Sequence, residues 1–189
     1  MSDGLAWMAQ AFDAYCVTFV RGVDIVELAR RMGAGPGDLR PDVTVEEAFA
    51  LAMNECPVAL VGVCGEWAFA LELWSDAATD TPTLPRLSQD GEAVVLLSST
   101  GPRRFLHGAG GQVLADFEPG VSADEMAGAA PGRLREALLA GGFFTAEGLA
   151  ELGEGSREEW MLRSAETVFG LSLPRRQLED GASTAVMLP

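Results

Sequence analysis

His107 is the only imidazole in this chain, and all thirteen of its basic residues are arginines. Those two facts remove whole chemistries. Without lysine there is no Schiff-base nucleophile and no phosphate-loop or kinase-type lysine; with one histidine there is no multi-histidine metal site. What remains for acid–base work is His107, whose imidazole titrates near neutrality when unperturbed, and the carboxylate of Glu72. No nucleophile motif such as G-x-S-x-G surrounds Ser98, Ser99 or Thr100. For binding, the adjacent pair Arg103-Arg104 stands out in an acidic chain. With Glu72 and Trp74 it would suit a ligand bearing a carboxylate and an apolar body, to which Trp67 would add shape. The thiols offer little: Cys64 falls on a core face against Trp67, Cys16 lies in an apolar strand, and Cys56 precedes Pro57 at a turn. Asp76 and Asp80 do not match a calcium loop and read as turn formers. No metal and no cofactor is expected.

The elements that must position these residues can be read from periodicity and caps. Leu5, Met8, Ala9 and Phe12 recur at helical spacing, so residues 4–14 predict a helix. Residues 15–20 read as a strand. Asp24 and Gly33 frame a second helix, and Thr44 with Glu47 forms a capping box for a third that runs to about Asn54. The stretch 33–41 reads as a loop. Its Gly33-Ala34-Gly35-Pro36-Gly37 is not a dinucleotide fingerprint, because it follows a helix rather than a strand. Residues 58–64 and 67–74 flank Gly65-Glu66 as a hairpin, pairing Cys64 with Trp67, Gly62 with Phe69 and Leu60 with Leu71. One face of it is bulky and apolar. The other carries Ala59, Val61, Val63, Ala68 and Ala70 with Glu72 and Trp74 at its end, a surface that either receives a closely packed helix, the favoured reading, or forms the floor of a groove.

A loop over 75–91 leads to a strand at 93–99. A second hairpin, 103–107 with 112–118 around the loop 108–111, would set Arg103 opposite Asp116, Phe105 opposite Leu114 and His107 opposite Gln112. Helices are expected at 131–140, at 156–169 with a Ser156/Glu159 capping box, and from about Pro174. Residues 145–155 read as a flexible acidic, Gly-rich connection, and 185–188 as an edge strand. The sum is a single α+β domain over 1–189: an antiparallel sheet of about five to six strands, built on two hairpins and packed by N-terminal and C-terminal helices.

Bulk properties narrow the function. The composition is globular, and the net charge of −15 argues against nucleic acid, since a phosphate backbone would be repelled. No apolar run approaches the roughly 20 residues that span a bilayer, so no membrane partner is expected. An odd number of cysteines and an acidic N-terminus without an apolar leader point to a cytoplasmic protein.

Three segments carry a family likeness: Tyr15 to Gly22, Gly65 to Glu72, and Phe169 to Leu173. They resemble a family of uncharacterised proteins abundant in Streptomyces and related actinobacteria, with the same order over most of the chain. The resemblance implies an actinobacterial origin and one α+β domain, and supplies no activity. That family commonly follows the hairpin glutamate with a Gly-Trp-Gln-Gly-like stretch; here Leu73-Trp74-Ser75-Asp76 departs from it.

Three functions are compatible with such a chain, the third of them a plain ligand-binding or scaffold role within a larger assembly. The leading expectation is a non-enzymatic binding protein, of the immunity or inhibitor type, that sequesters a basic protein partner by using its acidic surface for steering. The alternative is a cofactor-independent cyclase or lyase of specialised metabolism. It would hold a small apolar molecule in a pocket of the sheet, with Trp67, Glu72, Trp74, Arg103 and His107 around it.

Overall fold

The segment YCVTFVR alternates two sets of apolar side chains, one large and one small, and such a strand is stable only when both of its faces are covered. In the computed structural model, which describes residues 3–80, 82–101, 103–120, 123–145, 148–149 and 157–189, it is β1 (Tyr15–Arg21) near the middle of an eight-stranded antiparallel sheet. The other strands are β2 (Leu39–Val43), β3 (Val58–Cys64), β4 (Trp67–Leu73), β5 (Glu92–Ser98), β6 (Arg104–Ala109), β7 (Gln112–Phe117) and β10 (Ser183–Met187). Across the sheet they run β2-β10-β3-β4-β1-β5-β6-β7. The short strands β8 (Phe144–Thr145) and β9 (Gly148–Leu149) pair only with each other.

Tyr15, Val17 and Phe19 share one face with Leu60, Trp67, Phe69, Leu71, Val94, Leu96 and Phe105. This bulky face packs against α1 (Met8–Ala11), α3 (Val45–Asn54), α5 (Pro131–Ala140), α6 (Arg157–Phe169) and α7 (Arg175–Asp180). The opposite face presents Cys16, Val20, Ala59, Val61, Ala68, Ala70, Ala93 and Val95, and α2 (Ile25–Met32) and α4 (Thr83–Leu87) lie on it. Small side chains let α2 approach closely, as the alanines of the first hairpin led one to expect. Helix α2 begins with Asp24 accepting from the Glu27 amide and ends at Gly33 with φ 101°. Its Arg31 is buried and ties the helix to the end of α4, through the Leu87 carbonyl, and to Asp90 after it.

The fold is α+β as expected, but the sheet has eight strands rather than five to six, and three of the expected elements need correction. Leu39–Val43 is a strand, not a loop. It escapes pattern reading because it contains Pro41 and because Pro41 and Asp42 bulge opposite the single residue Thr184, with Asp42 at φ 58°. Proline is tolerated there because β2 is an edge strand. Strand β10 is therefore not an edge but lies between β2 and β3. The loop after Trp74 holds a 3₁₀ turn, Ala77–Thr79, and α4.

The first hairpin has the expected register, Cys64 with Trp67, Gly62 with Phe69 and Leu60 with Leu71, and Gly65 turns it with φ 62°. A Cβ on Gly62 would stand 2.6 Å from the Phe69 ring, so this glycine makes room for the aromatic across the ladder. The second hairpin does not have the expected register. It closes on the two residues Gly110-Gly111, both at positive φ, and a bulge at Leu114 follows. His107 then faces Ala115, and Phe105 faces Phe117. The connection read over residues 145–155 lies mostly outside the described residues, as does Ser156 of the expected capping box.

Candidate functional site

The residues with chemical promise do not meet in one place. Trp67 and Trp74 flank opposite ends of β4, seven residues long, so about 20 Å of extended chain separates them. Trp67 and His107 share one end of the sheet; Glu72, Trp74, Arg103 and Arg104 gather at the other, and they divide between its two faces.

At the first end, β1 closes with Arg21, β5 opens with Glu92 and β6 brings His107 to the diagonal neighbour of Glu92 on the same face. His107 Nε2 lies 2.9 Å from Glu92 Oε1, and its ring packs 4.9 Å from the Phe169 ring at the end of α6. Arg21 donates to Glu66 at 2.6 Å, approaches Glu92 at 3.6 Å and sits 5.8 Å over Trp67. The His107 contact holds the Glu92 carboxyl below its ordinary value, against the opposing pull of partial burial. These groups line a cavity of about 500 Å³ roofed by α5 and α6, with Arg133 and Leu134 from α5 and Val168 and Phe169 from α6. His107 is 7% exposed, and its Nδ1 is buried with no hydrogen-bond partner among the described residues. The lining carries cations, one carboxylate, an imidazole and apolar walls, with no hydroxyl or thiol among the described residues. Chemically that lining can bind and orient a ligand, and the His107–Glu92 pair can move a proton.

At the far end, Glu72 is fully buried on the small-residue face. Its carboxylate accepts from Ser75 Oγ at 2.6 Å and from the amides of Ala77 and Ala78 at 3.0 and 3.2 Å, which anchors the 3₁₀ turn. Burial pushes its pKa up, and those three donors partly offset the rise. Cys16 faces Glu72 across the ladder, and burial, then the Glu72 charge, hold its thiol well above the ordinary value. Arg103 and Arg104 leave β6 toward opposite faces. Arg104, rather than the expected Arg103, binds Asp116, at 2.6 Å, because the tight turn and the bulge shift the ladder. Arg103 lies 3.8 Å from Glu158 on the bulky face. Beside it, burial and then Glu158 push the Tyr15 hydroxyl far up, and that hydroxyl, Arg103 Nε and Glu158 Oε1 find no hydrogen-bond partner among the described residues.

Trp74 follows β4 in a left-handed backbone conformation, φ 57°, and is 53% exposed. Its ring meets Phe49 of α3 edge-on, with centroids 6.5 Å apart. The two border a groove of about 360 Å³ with Phe12, Val45 and Leu73 for its apolar wall and Asp13 and Glu46 for its charge. Across α3 a second hollow carries Asp42, Glu47 and Glu55 against one arginine, Arg40. Phe49 and Met53, four residues apart on α3, are both exposed.

Reasoning from sequence missed Glu92, Arg21, Phe49, Arg133 and Phe169. Glu92 was within reach: extending the strand by one residue sets Glu92, Val94 and Leu96 on a single face with His107 and Phe105. The others depend on which helices cover which end of the sheet. Among the described residues, no three His, Cys, Asp or Glu side chains gather to hold a metal ion, and no helix is long and apolar enough to cross a membrane.

Comparison with curated proteins finds no match, and comparison with solved structures finds none. A family model does match, over residues 3–182, and with nearly the whole chain inside that match this protein belongs to the family of unknown function DUF6461.

Proposed function

We propose that this chain is a non-enzymatic binding protein that takes a basic protein partner on the face formed by Trp74, Phe49 and Met53, in the manner of an immunity or inhibitor protein. The observation that carries the reading is Trp74. A bulky aromatic stands half-exposed here at positive φ, a conformation that costs on the order of 1 kcal/mol or more, with the Phe49 ring edge-on beside it. An exposed aromatic anchor beside a groove is what dominates binding energy at protein interfaces. The carboxylates Asp13 and Glu46 in its groove, Asp42, Glu47 and Glu55 in the hollow across α3, and the net charge of −15 favour a cationic partner and speed its approach. An actinobacterial, cytoplasmic setting belongs to the same reading; the free cysteines support the second part.

The test is purification from cells that produce the protein, followed by native mass spectrometry of wild type and Trp74→Ala. The expected result is a basic protein bound to wild type, released by moderate salt and weakened by about 2 kcal/mol, roughly thirtyfold, in Trp74→Ala. A wild-type protein that emerges bare, or a partner held equally well by Trp74→Ala, overturns the reading.

The second reading, a cofactor-independent enzyme acting on a small apolar molecule, draws on the His107–Glu92 pair in its cavity. Glu72, the carboxylate first considered for it, is buried on the other face and spent on capping. Turnover abolished in His107→Ala would support this enzyme; turnover unchanged in that variant would end it.

A further inference from the structure

We propose that the cavity at the His107 end of the sheet is a binding site for a small molecule with a carboxylate and a flat apolar body, with Arg133 as the carboxylate's partner and the Phe169–Trp67 wall as the body's. This site lies at the opposite end of β4 from Trp74 and does not depend on the docking face.

In a chain with 28 acidic residues, this cavity gathers two guanidinium groups, Arg21 and Arg133, around one lining carboxylate, Glu92. Glu92 is already engaged, by His107 at 2.9 Å and by Arg21 at 3.6 Å, and Arg21 is taken by Glu66 at 2.6 Å. A cationic ligand would therefore find its only lining carboxylate occupied. Arg133, exposed at the start of α5, has no carboxylate within ion-pair distance among the described residues, so its guanidinium is the one available to an incoming anion. Arginine meets carboxylates with a planar fork of donors.

The walls define the rest of the ligand. Phe169 stands edge-on to Trp67, centroids 6.4 Å apart at 89°, and tilts against His107. Val168, Leu134 and Ala137 complete an apolar surface of the kind that takes an aromatic or alicyclic ring. The volume of about 500 Å³ falls within the range of small-ligand pockets. His107 lines the same cavity and is held by Glu92 through Nε2, so its ring forms a fixed part of the wall against which the ligand's flat body lies.

Because His107 is the only histidine, its ring protons report on the cavity without any labelling strategy. The experiment follows them by NMR while 2-naphthoate is added, and repeats the titration with neutral 2-naphthalenemethanol. Expected for wild type is a saturable shift of the His107 signals with naphthoate and a much weaker response to the alcohol. Arg133→Gln, a change at an exposed position, should weaken naphthoate binding by about tenfold or more. Trp74→Ala should leave it unchanged, which separates this site from the docking face. Three outcomes overturn the proposal: no His107 shift up to millimolar naphthoate, equal response to the alcohol, or undiminished affinity in Arg133→Gln.

Discussion

Glu92 and Glu72 are both half of a buried arrangement, yet their environments push them in opposite directions. Glu92 is depressed, first by the hydrogen bond with His107. Its contribution to stability is complete above the ordinary glutamate value of about 4.3 and is lost as pH falls through the lower folded value. Urea unfolding across about pH 3 to 6 should show this acid-side loss in wild type and a flatter curve in Glu92→Gln. Glu72 is raised, chiefly by burial. Wild-type stability therefore declines from this group as pH rises from about 4.3 through the raised value, and Glu72→Gln should lack that slope. Glu72→Ala strands Ser75 Oγ and the amides of Ala77 and Ala78 and should cost about 2–4 kcal/mol at neutral pH. A cost below 1 kcal/mol, measured by the same unfolding curves, would mean that water replaces the carboxylate there.

At the scale of elements, caps were readable and registers only partly so. Thr44 and Glu47 form a reciprocal capping box on α3, and Asp24 with Gly33 bounds α2, because such signals act within four residues. The first hairpin was readable for the same reason: Gly65 sets the turn and the turn sets every pair after it. The second hairpin defeated the reading. Four small residues, Gly108-Ala109-Gly110-Gly111, allow more than one turn, and the choice is made by contact with α4. A Cβ on Gly108 would lie 2.9 Å from Ser88 Oγ, 3.0 Å from Leu84 Cγ and 3.2 Å from the Gln112 carbonyl. Gly108→Ala should accordingly destabilise by about 1–3 kcal/mol and displace the neighbouring His107 ring signals. Unaltered stability would show that α4 is free to withdraw from the hairpin.

For the whole molecule, the two ends of the sheet separate what sequence had grouped. Trp67, Glu72, Trp74, Arg103 and His107 looked like one pocket, although the expected strand 67–74 already sets Trp67 and Trp74 at its opposite ends; what the sequence does not show is which end of it Arg103 and His107 join. Trp74→Gly tests the division at this scale. Glycine accepts φ 57° without strain, so thermal or urea unfolding should show stability unchanged or raised by about 1 kcal/mol, while partner binding is lost and naphthoate binding is kept. A destabilised Trp74→Gly would make the tryptophan a packing residue and remove the argument for an interface. Salt should slow association of the basic partner with wild type, since a surface of charge −15 steers over distances that ions screen.

The amino-acid sequence by itself determined the elements with strong local signals: the capped helices, β1, the first hairpin with its register, and a small-residue face that receives a helix. It also determined what chemistry is excluded, through the absence of lysine and the single histidine. The tertiary structure decided the rest. Strand β2 forms only because β10, some 140 residues later in the chain, offers it a partner, a pairing that no local pattern encodes. Likewise, α5 and α6 close over His107 while Trp74 stays open beside α3. Which residues share a cavity is fixed by how helices cover the ends of a sheet, and that is set by packing between distant segments rather than by spacing along the chain.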